Sequence, residues 1–254
     1  MKVVVERFNE QGTLRLQLAG PMCVITIDRP HRRNALTQNM WQTIGDWVQN
    51  LPVKTRFLVL RGAGAEFTAG SDIIEFSTLS AEGANAAFET MESAIRRIED
   101  LSLPTIASIN GPAYGAGFVL ALACDIRIGT ERAKFGMPVG KLGITLQEPF
   151  LRRLVGTIGP SRTKDLVYTA RSFDAEQALQ SGLLNYLCPV ESLSSETIAI
   201  CRKMALQSRA SLLAVKHNVK ALTSGNASES GSWVDSTDFR EGVQAFREKR
   251  RARF

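Results

Sequence analysis

Residues 105–128 read TIASINGPAYGAGFVLALACDIRI. An apolar run from Thr105 ends at Asn110-Gly111-Pro112, and a second begins after Gly115-Ala116-Gly117. Proline cannot continue the interior of a strand, and glycine lets one backbone approach another closely. The pattern predicts strand, sharp turn, buried helix and next strand. The first N–H groups of a helix starting near Gly115 have no acceptor inside it, and such a start is a place to hold negative charge. The reading is an anion or oxyanion pocket in an α/β protein. The same glycines also suit a plain tight turn with close packing.

Two other Gly-rich readings fail. A dinucleotide fingerprint needs a third glycine where Leu120 stands. Around Gly136-Met137-Pro138-Val139-Gly140-Lys141 the P-loop pattern lacks one spacer, and Leu142 occupies the position of the required Ser or Thr.

Composition narrows the class. The chain has 254 residues, 44% hydrophobic and 22% charged, which is ordinary for a soluble globular protein. Pro112–Cys124 is too short to span a bilayer, which takes roughly 20 apolar residues, and the N-terminus is too polar for a secretory signal. Cys23, Cys124, Cys188 and Cys201 are scattered without a CxxC pair. They read as reduced, buried thiols of an intracellular protein, and no metal site is expected. The net charge of +6 is uneven, with Lys249, Arg250, Arg251 and Arg253 crowding the last six residues and Arg32-Arg33 forming another pair. No aromatic-rich basic motif accompanies them, so a phosphorylated small ligand or a solvated tail is expected rather than nucleic acid.

Along the chain, strands are predicted near Val3–Arg7, Leu14–Leu18, Cys23–Ile27, Phe57–Leu60, Ala133–Met137 and Leu183–Leu187. Helices are predicted around Met40–Val48, Ser71–Phe76, Glu82–Leu101, Phe150–Val155 and Arg162–Thr169, from apolar positions at three- and four-residue spacing. After Val190 the periodicity is helical, around a polar break at Ser224–Ser232. This divides the chain into an α/β core, residues 1–195, and a helical region, 196–254.

Four segments then carry a resemblance. They are Arg29-Pro30 with Asn34-Ala35-Leu36, Phe67-Thr68-Ala69-Gly70-Ser71-Asp72, the central stretch through Cys124-Asp125, and Glu241–Arg250. In this order and spacing the chain resembles the crotonase superfamily, the enoyl-CoA hydratase/isomerase family, over essentially its whole length. The resemblance implies a spiral of ββα turns and a C-terminal helical region that makes trimers, often hexamers as dimers of trimers. It implies coenzyme A as part of an acyl-CoA substrate rather than a permanently bound cofactor, and a cytoplasmic enzyme.

Carried over residue by residue, the resemblance assigns the oxyanion hole to the main-chain N–H groups of Ser71 and Ala116. The family commonly has glycine where Ala116 stands, but the contact is through the backbone. Removing one such donor costs about 2.7–4 kcal/mol of barrier. Arg32, Arg33, Ala35 and Ala69 would meet coenzyme A, and Phe246 and Lys249 its adenine and phosphate ends, usually from a neighbouring subunit. Guanidinium and ammonium groups suit those phosphates.

The pattern breaks where hydratases of the family carry two glutamates, because here the positions are Val119 and Val139. A valine moves no proton, and each such group contributes roughly 10²–10⁴-fold, so water addition to an enoyl-CoA should be poor. After Leu142-Gly143, Gln147 and Glu148 stand near the place of the isomerase carboxylate. The first expectation is that Glu148, desolvated in the acyl pocket with a raised pKa, shuttles a proton between C2 and C4 of a 3-enoyl-CoA; the bland reading makes it a helix-start charge. The second is decarboxylation, with Ser71, Asp72, Glu75 and Tyr114 orienting a malonyl-type carboxylate or protonating the carbanion. A non-catalytic acyl-CoA binder is the third. His31 and His217 read as surface residues.

Overall fold

The computed structural model describes residues 3–225 and 231–254. Of the polar break at Ser224–Ser232, residues 226–230 lie outside the described residues. In chain order the elements are β1 (Val3–Phe8), β2 (Leu14–Ala19), β3 (Met22–Ile27), α1 (Gln38–Gln49), β4 (Phe57–Gly62), α2 (Ile73–Phe76), α3 (Ala81–Glu99), β5 (Thr105–Ile109), β6 (Ala113–Tyr114), α4 (Ala116–Leu122), β7 (Ile126–Thr130), β8 (Phe135–Gly136), α5 (Glu148–Thr169), β9 (Ser172–Phe173), α6 (Ala175–Gln180), β10 (Tyr186–Cys188), α7 (Leu193–Ala205), α8 (Arg209–Thr223) and α9 (Ser236–Arg247).

β1, β2 and β3 form an antiparallel meander, and from β3 onward every pairing in the seven-stranded sheet is parallel, in the order β1-β2-β3-β4-β5-β7-β10. Parallel strands need crossovers, and the crossovers build a second, narrow ladder. Leu36 bridges Ser71, Thr68 bridges Ala113, and β6 pairs with β8, all in parallel. Each turn of chain thus gives one strand to the wide sheet, one short extended piece to the narrow ladder, and then a helix. That is the expected spiral of ββα turns.

The main core fills the space between the two ladders and the helices, with Leu16, Ile25, Trp41, Phe67, Ile95, Phe118 and Phe135 almost wholly buried. Buried Arg153 of α5 ties this layer together. Its guanidinium holds Glu92 through Nη1 and Nη2 (2.7 and 2.9 Å) and Glu99 through Nε and Nη2 (3.1 and 2.7 Å), both on α3. A second cluster lies on the opposite face of the wide sheet, where Val24, Phe57, Val59, Ile106 and Ile128 meet Leu193, Ile200 and Cys201 of α7. The division at residue 195 is therefore corrected: it cuts α7 in two, and α7 belongs to the sheet it covers.

The strand reading at Ala133–Met137 narrows to the two residues of β8, and the one at Leu183–Leu187 shifts to β10. The two helices read at Phe150–Val155 and Arg162–Thr169 are halves of α5, broken at Gly159 (φ 79°) before Pro160. The helix α6 escaped the sequence reading. Its signal was a capping box, in which Asp174 accepts from the Gln177 N–H and the Gln177 side chain accepts from the Asp174 N–H.

Candidate active site

Two stretches of backbone meet at Gly70 and Gly117. Gly70 has φ +94°, and a Cβ there would lie 2.6 Å from the Tyr114 carbonyl oxygen and 3.1 Å from the Ala116 nitrogen. A Cβ on Gly117 would lie 2.5 Å from Thr68 Cγ2 and 3.2 Å from the Gly70 nitrogen. Only glycine permits this approach, and the Tyr114 N–H seals it by donating to the Thr68 carbonyl (3.1 Å).

The orientation of the Ser71 amide follows from its neighbours. Leu36 N–H donates to Gly70 O (2.8 Å), and Asp72 N–H donates to Leu36 O (2.9 Å). Backbone groups alternate sides along an extended chain, so the Ser71 N–H points away from Leu36. Ala116 opens α4 behind Gly115, which offers no side-chain cap. Among the described residues neither the Ser71 nor the Ala116 N–H has an acceptor, and both residues are half-buried. Two unpaired donors on touching segments are equipped to receive one oxygen carrying partial negative charge.

Asn34 organises the loop beside them. It is fully buried in the left-handed region at φ 56°, which asparagine tolerates better than most residues. Its side chain accepts from Arg29 N–H (2.9 Å) and donates to Ala63 O and Glu66 O (both 2.8 Å), while its carbonyl accepts from the Thr68 hydroxyl (2.6 Å). The sequence reading quoted Asn34 but gave it no role; an asparagine between strand and helix was the available signal. Ala69 N–H donates to Arg33 O (2.9 Å), so Arg33, Ala35 and Ala69 share one laced surface. Arg32 is exposed at its edge, and Arg33 pairs with Glu66 (2.7 Å).

Several expectations are corrected by what the side chains touch. Asp72 is buried and paired with Arg29 (2.5 Å), and its other oxygen accepts from Ile74 N–H and Glu75 N–H at the start of α2. Burial alone would raise this carboxyl, but the Arg29 guanidinium and the two N–H groups outweigh it and hold it below its ordinary value. Asp72 therefore stays ionised and spoken for, and cannot protonate a carbanion. Glu75 is engaged too, accepting from Gln38 N–H at the start of α1 (2.8 Å). Because the folded-state value of Asp72 lies below the unfolded one, the pair contributes stability that is complete above about pH 4 and lost as pH falls through the folded value. Urea midpoints measured across that acid range should drop for the wild type and drop less steeply for Asp72→Asn.

Glu148 differs most from expectation. It is the first residue of α5, its side chain is 79% exposed, and it sits 3.8 Å from Arg152 one turn on. Gln147 before it is exposed as well. The desolvated carboxylate is thus corrected to a solvated helix-start charge, the bland alternative.

Val119 is wholly buried and Val139 nearly so, both in the main core, and Met91 accepts from the Ser71 hydroxyl through its sulfur (3.2 Å). Ala116 packs on that same apolar core, while Ser71 stands beside the Arg29–Asp72 pair. Tyr114 lies half-buried with its ring against Gly136, where a Cβ would come within 2.6 Å, and its hydroxyl accepts from Ser172 (3.4 Å). Burial pushes the Cys23 and Cys124 thiols up to about 12, so neither is a nucleophile. Phe246 and Lys249 are exposed at the end of α9, far along the chain from the amide pair. No helix among the described residues is long and apolar enough to cross a membrane.

Comparison with known proteins gives the family. The profile of the enoyl-CoA hydratase/isomerase family matches residues 18–254. A crotonyl-CoA hydratase of Syntrophomonas wolfei is 34% identical over 253 residues, covering 94% of this chain and 96% of the relative. An enoyl-CoA isomerase/hydratase of Mycosarcoma maydis is 32% identical over 253 residues, 91% of each. Among solved structures, an enoyl-CoA hydratase/carnithine racemase from Magnetospirillum magneticum superposes with a TM-score of 0.91 at 28% identity, covering 98% of this chain and 96% of that one.

Proposed function

Because this chain belongs to the enoyl-CoA hydratase/isomerase family of the crotonase superfamily, we propose that it holds an acyl-CoA thioester with the carbonyl oxygen between the Ser71 and Ala116 N–H groups and stabilises the enolate formed there. The observation that carries this reading is the pair of unpaired amides at the Gly70–Ala116 approach. Arg32, Arg33, Ala35 and Ala69 form the coenzyme surface, with Phe246 and Lys249 supplied by a neighbouring copy.

The reaction has to work without the hydratase carboxylates, since Val119 and Val139 stand in their place. Isomerisation requires a base that takes a proton from C2 and returns it to C4, and Glu148 in the single chain faces solvent and Arg152. Decarboxylation of a malonyl-type thioester asks less of the side chains. The bond from C2 to the carboxylate breaks, carbon dioxide leaves, the electron pair becomes the enolate, and water returns a proton to C2. The apolar core on which Ala116 packs favours this step, because a poorly solvated carboxylate is raised in energy while the amides receive the charge it releases. We place decarboxylation first and isomerisation second. The second reading keeps one observation in its favour: Ile144 and Leu146, just before Glu148, pack on the core that holds Val119 and Val139.

The test is incubation with 2-enoyl-, 3-enoyl- and malonyl-type CoA esters, products identified by mass spectrometry. Carbon dioxide release that survives Glu148→Gln within about twofold is expected, with hydration slower by the roughly 10²–10⁴-fold that one acid–base group supplies. Conversion of a 3-enoyl to a 2-enoyl ester that disappears in Glu148→Gln would reinstate isomerisation. Tight CoA binding with no turnover of any ester would leave an acyl-CoA binder.

We also propose a homotrimer, or a hexamer of two trimers, built through the C-terminal helices. Val215, Val219 and Leu222 of α8 and Phe239, Val243 and Phe246 of α9 are exposed in the single chain, a density of apolar surface that supports burial against another copy. Solution mass measurement distinguishes the two states.

A further inference from the structure

The loop that carries the coenzyme contacts and the loop that carries the Ser71 amide are joined by one partly buried ion pair. Arg29 Nη1 donates to Asp72 Oδ2 (2.5 Å) and to the carbonyl of Ala35 (3.2 Å). The other oxygen of Asp72 starts α2 by accepting from Ile74 N–H (3.0 Å). Around this pair run three main-chain bonds between the same loops, Ala69 N–H to Arg33 O, Leu36 N–H to Gly70 O, and Asp72 N–H to Leu36 O, with side-chain straps from the Thr68 hydroxyl to Asn34 O and from Gln38 N–H to Glu75. Ser71 sits inside this lacing with its own N–H left over. The aim of that N–H depends on where Gly70 O and Asp72 N are held, and the charged contact nearest to it is the Arg29–Asp72 pair.

We infer that Asp72 and Arg29 are positioning residues that couple the coenzyme loop to the oxyanion amide, so that coenzyme held at Arg32–Ala35 is held in register with the Ser71 N–H. The inference rests on the reading of Ser71 and Ala116 as the thioester site. It gives Asp72 no contact with substrate. A carboxylate that bonds both a guanidinium and a helix start is tied in two directions, and an ion pair whose side chains keep 18% and 9% of their surface in water resists rearrangement more than an exposed one. Small errors in placing a catalytic donor are amplified, since a shift of about 1 Å can reduce rate about 10²-fold.

The variant is Asp72→Asn, which keeps an amide oxygen to cap α2 and removes the ionic hold on Arg29. The probe is 2,4-hexadienoyl-CoA, whose conjugated thioester absorbs at longer wavelength when its carbonyl accepts strong hydrogen bonds. Free coenzyme A, titrated calorimetrically, reports the coenzyme loop alone. In the wild type the bound dienoyl ester should show a red shift. In Asp72→Asn the shift should fall by more than half and the dienoyl ester bind about tenfold more weakly, while free coenzyme A binds within about twofold of wild type. Arg29→Met should reproduce this pattern, and reads the coupling if Asp72→Asn fails to fold. An undiminished shift in a folded variant overturns the coupling and leaves the amide site standing. Absence of a shift in the wild type overturns both.

Discussion

Gly70→Ala should lose turnover by about 10²–10³-fold, the loss expected when one oxyanion donor goes out of place, and should abolish the red shift of bound hexadienoyl-CoA. Two effects act together. A side chain at φ +94° is strained by roughly 1–2 kcal/mol or more, and the new methyl would stand 2.6 Å from the Tyr114 carbonyl oxygen and 3.1 Å from the Ala116 nitrogen. Neither neighbour is a flexible side chain. The 68–72 and 113–117 segments must separate, and with them the two amides. Gly12→Ala is the control, because Gly12 has φ +66° with nothing within 4 Å; it should lose stability by a similar strain and keep the spectral shift. A Gly70→Ala protein that polarises the thioester as well as wild type would show that the amide pair is not the site.

The second large effect is expected at Arg153. Its side chain is 2% exposed, and it is the shared cation of Glu92 and Glu99. Arg153→Met keeps much of the volume and leaves two carboxylates of α3 at the α5 contact without their cation. Breaking a buried pair costs about 3–5 kcal/mol; because the two glutamates are 20% and 30% exposed, water offsets part of this, and the lower end is expected. Urea denaturation measures it. Adding Glu92→Gln and Glu99→Gln to Arg153→Met should recover part of the loss, because the orphaned charges go with them. No recovery would mean that packing, not charge, is what Arg153 supplies. Arg153→Lys should be intermediate, since one ammonium cannot fork to both partners.

Much of the architecture was readable from local chemistry. The meander strands, α1 with its Thr37 cap, α3 with its Ser80 cap and the turn at Gly115 each follow from residues adjacent in the chain. The oxyanion assignment has another origin, since the family resemblance carried it onto Ser71 and Ala116. Local chemistry adds that it asks only for main-chain N–H groups, which every non-proline residue has, and for glycines that let two segments touch. The resemblance likewise says which carboxylates are missing, because Val119 and Val139 are valines whatever surrounds them.

The state of the carboxylates that remain was decided by the tertiary structure. Asp72 is occupied by an arginine 43 positions earlier in the chain, Glu75 by an amide 37 positions earlier, and Glu148 meets water because α5 begins where it does. Asn34 became the buried centre of its loop through partners about 30 positions away. A side chain's proton affinity and freedom to act depend on solvent exposure and on the charges across from it, and those are fixed only when distant segments pack. Backbone geometry at a turn is set by the residues of the turn, and so the sequence by itself determined the glycines, Gly70 and Gly117, at which the two segments touch.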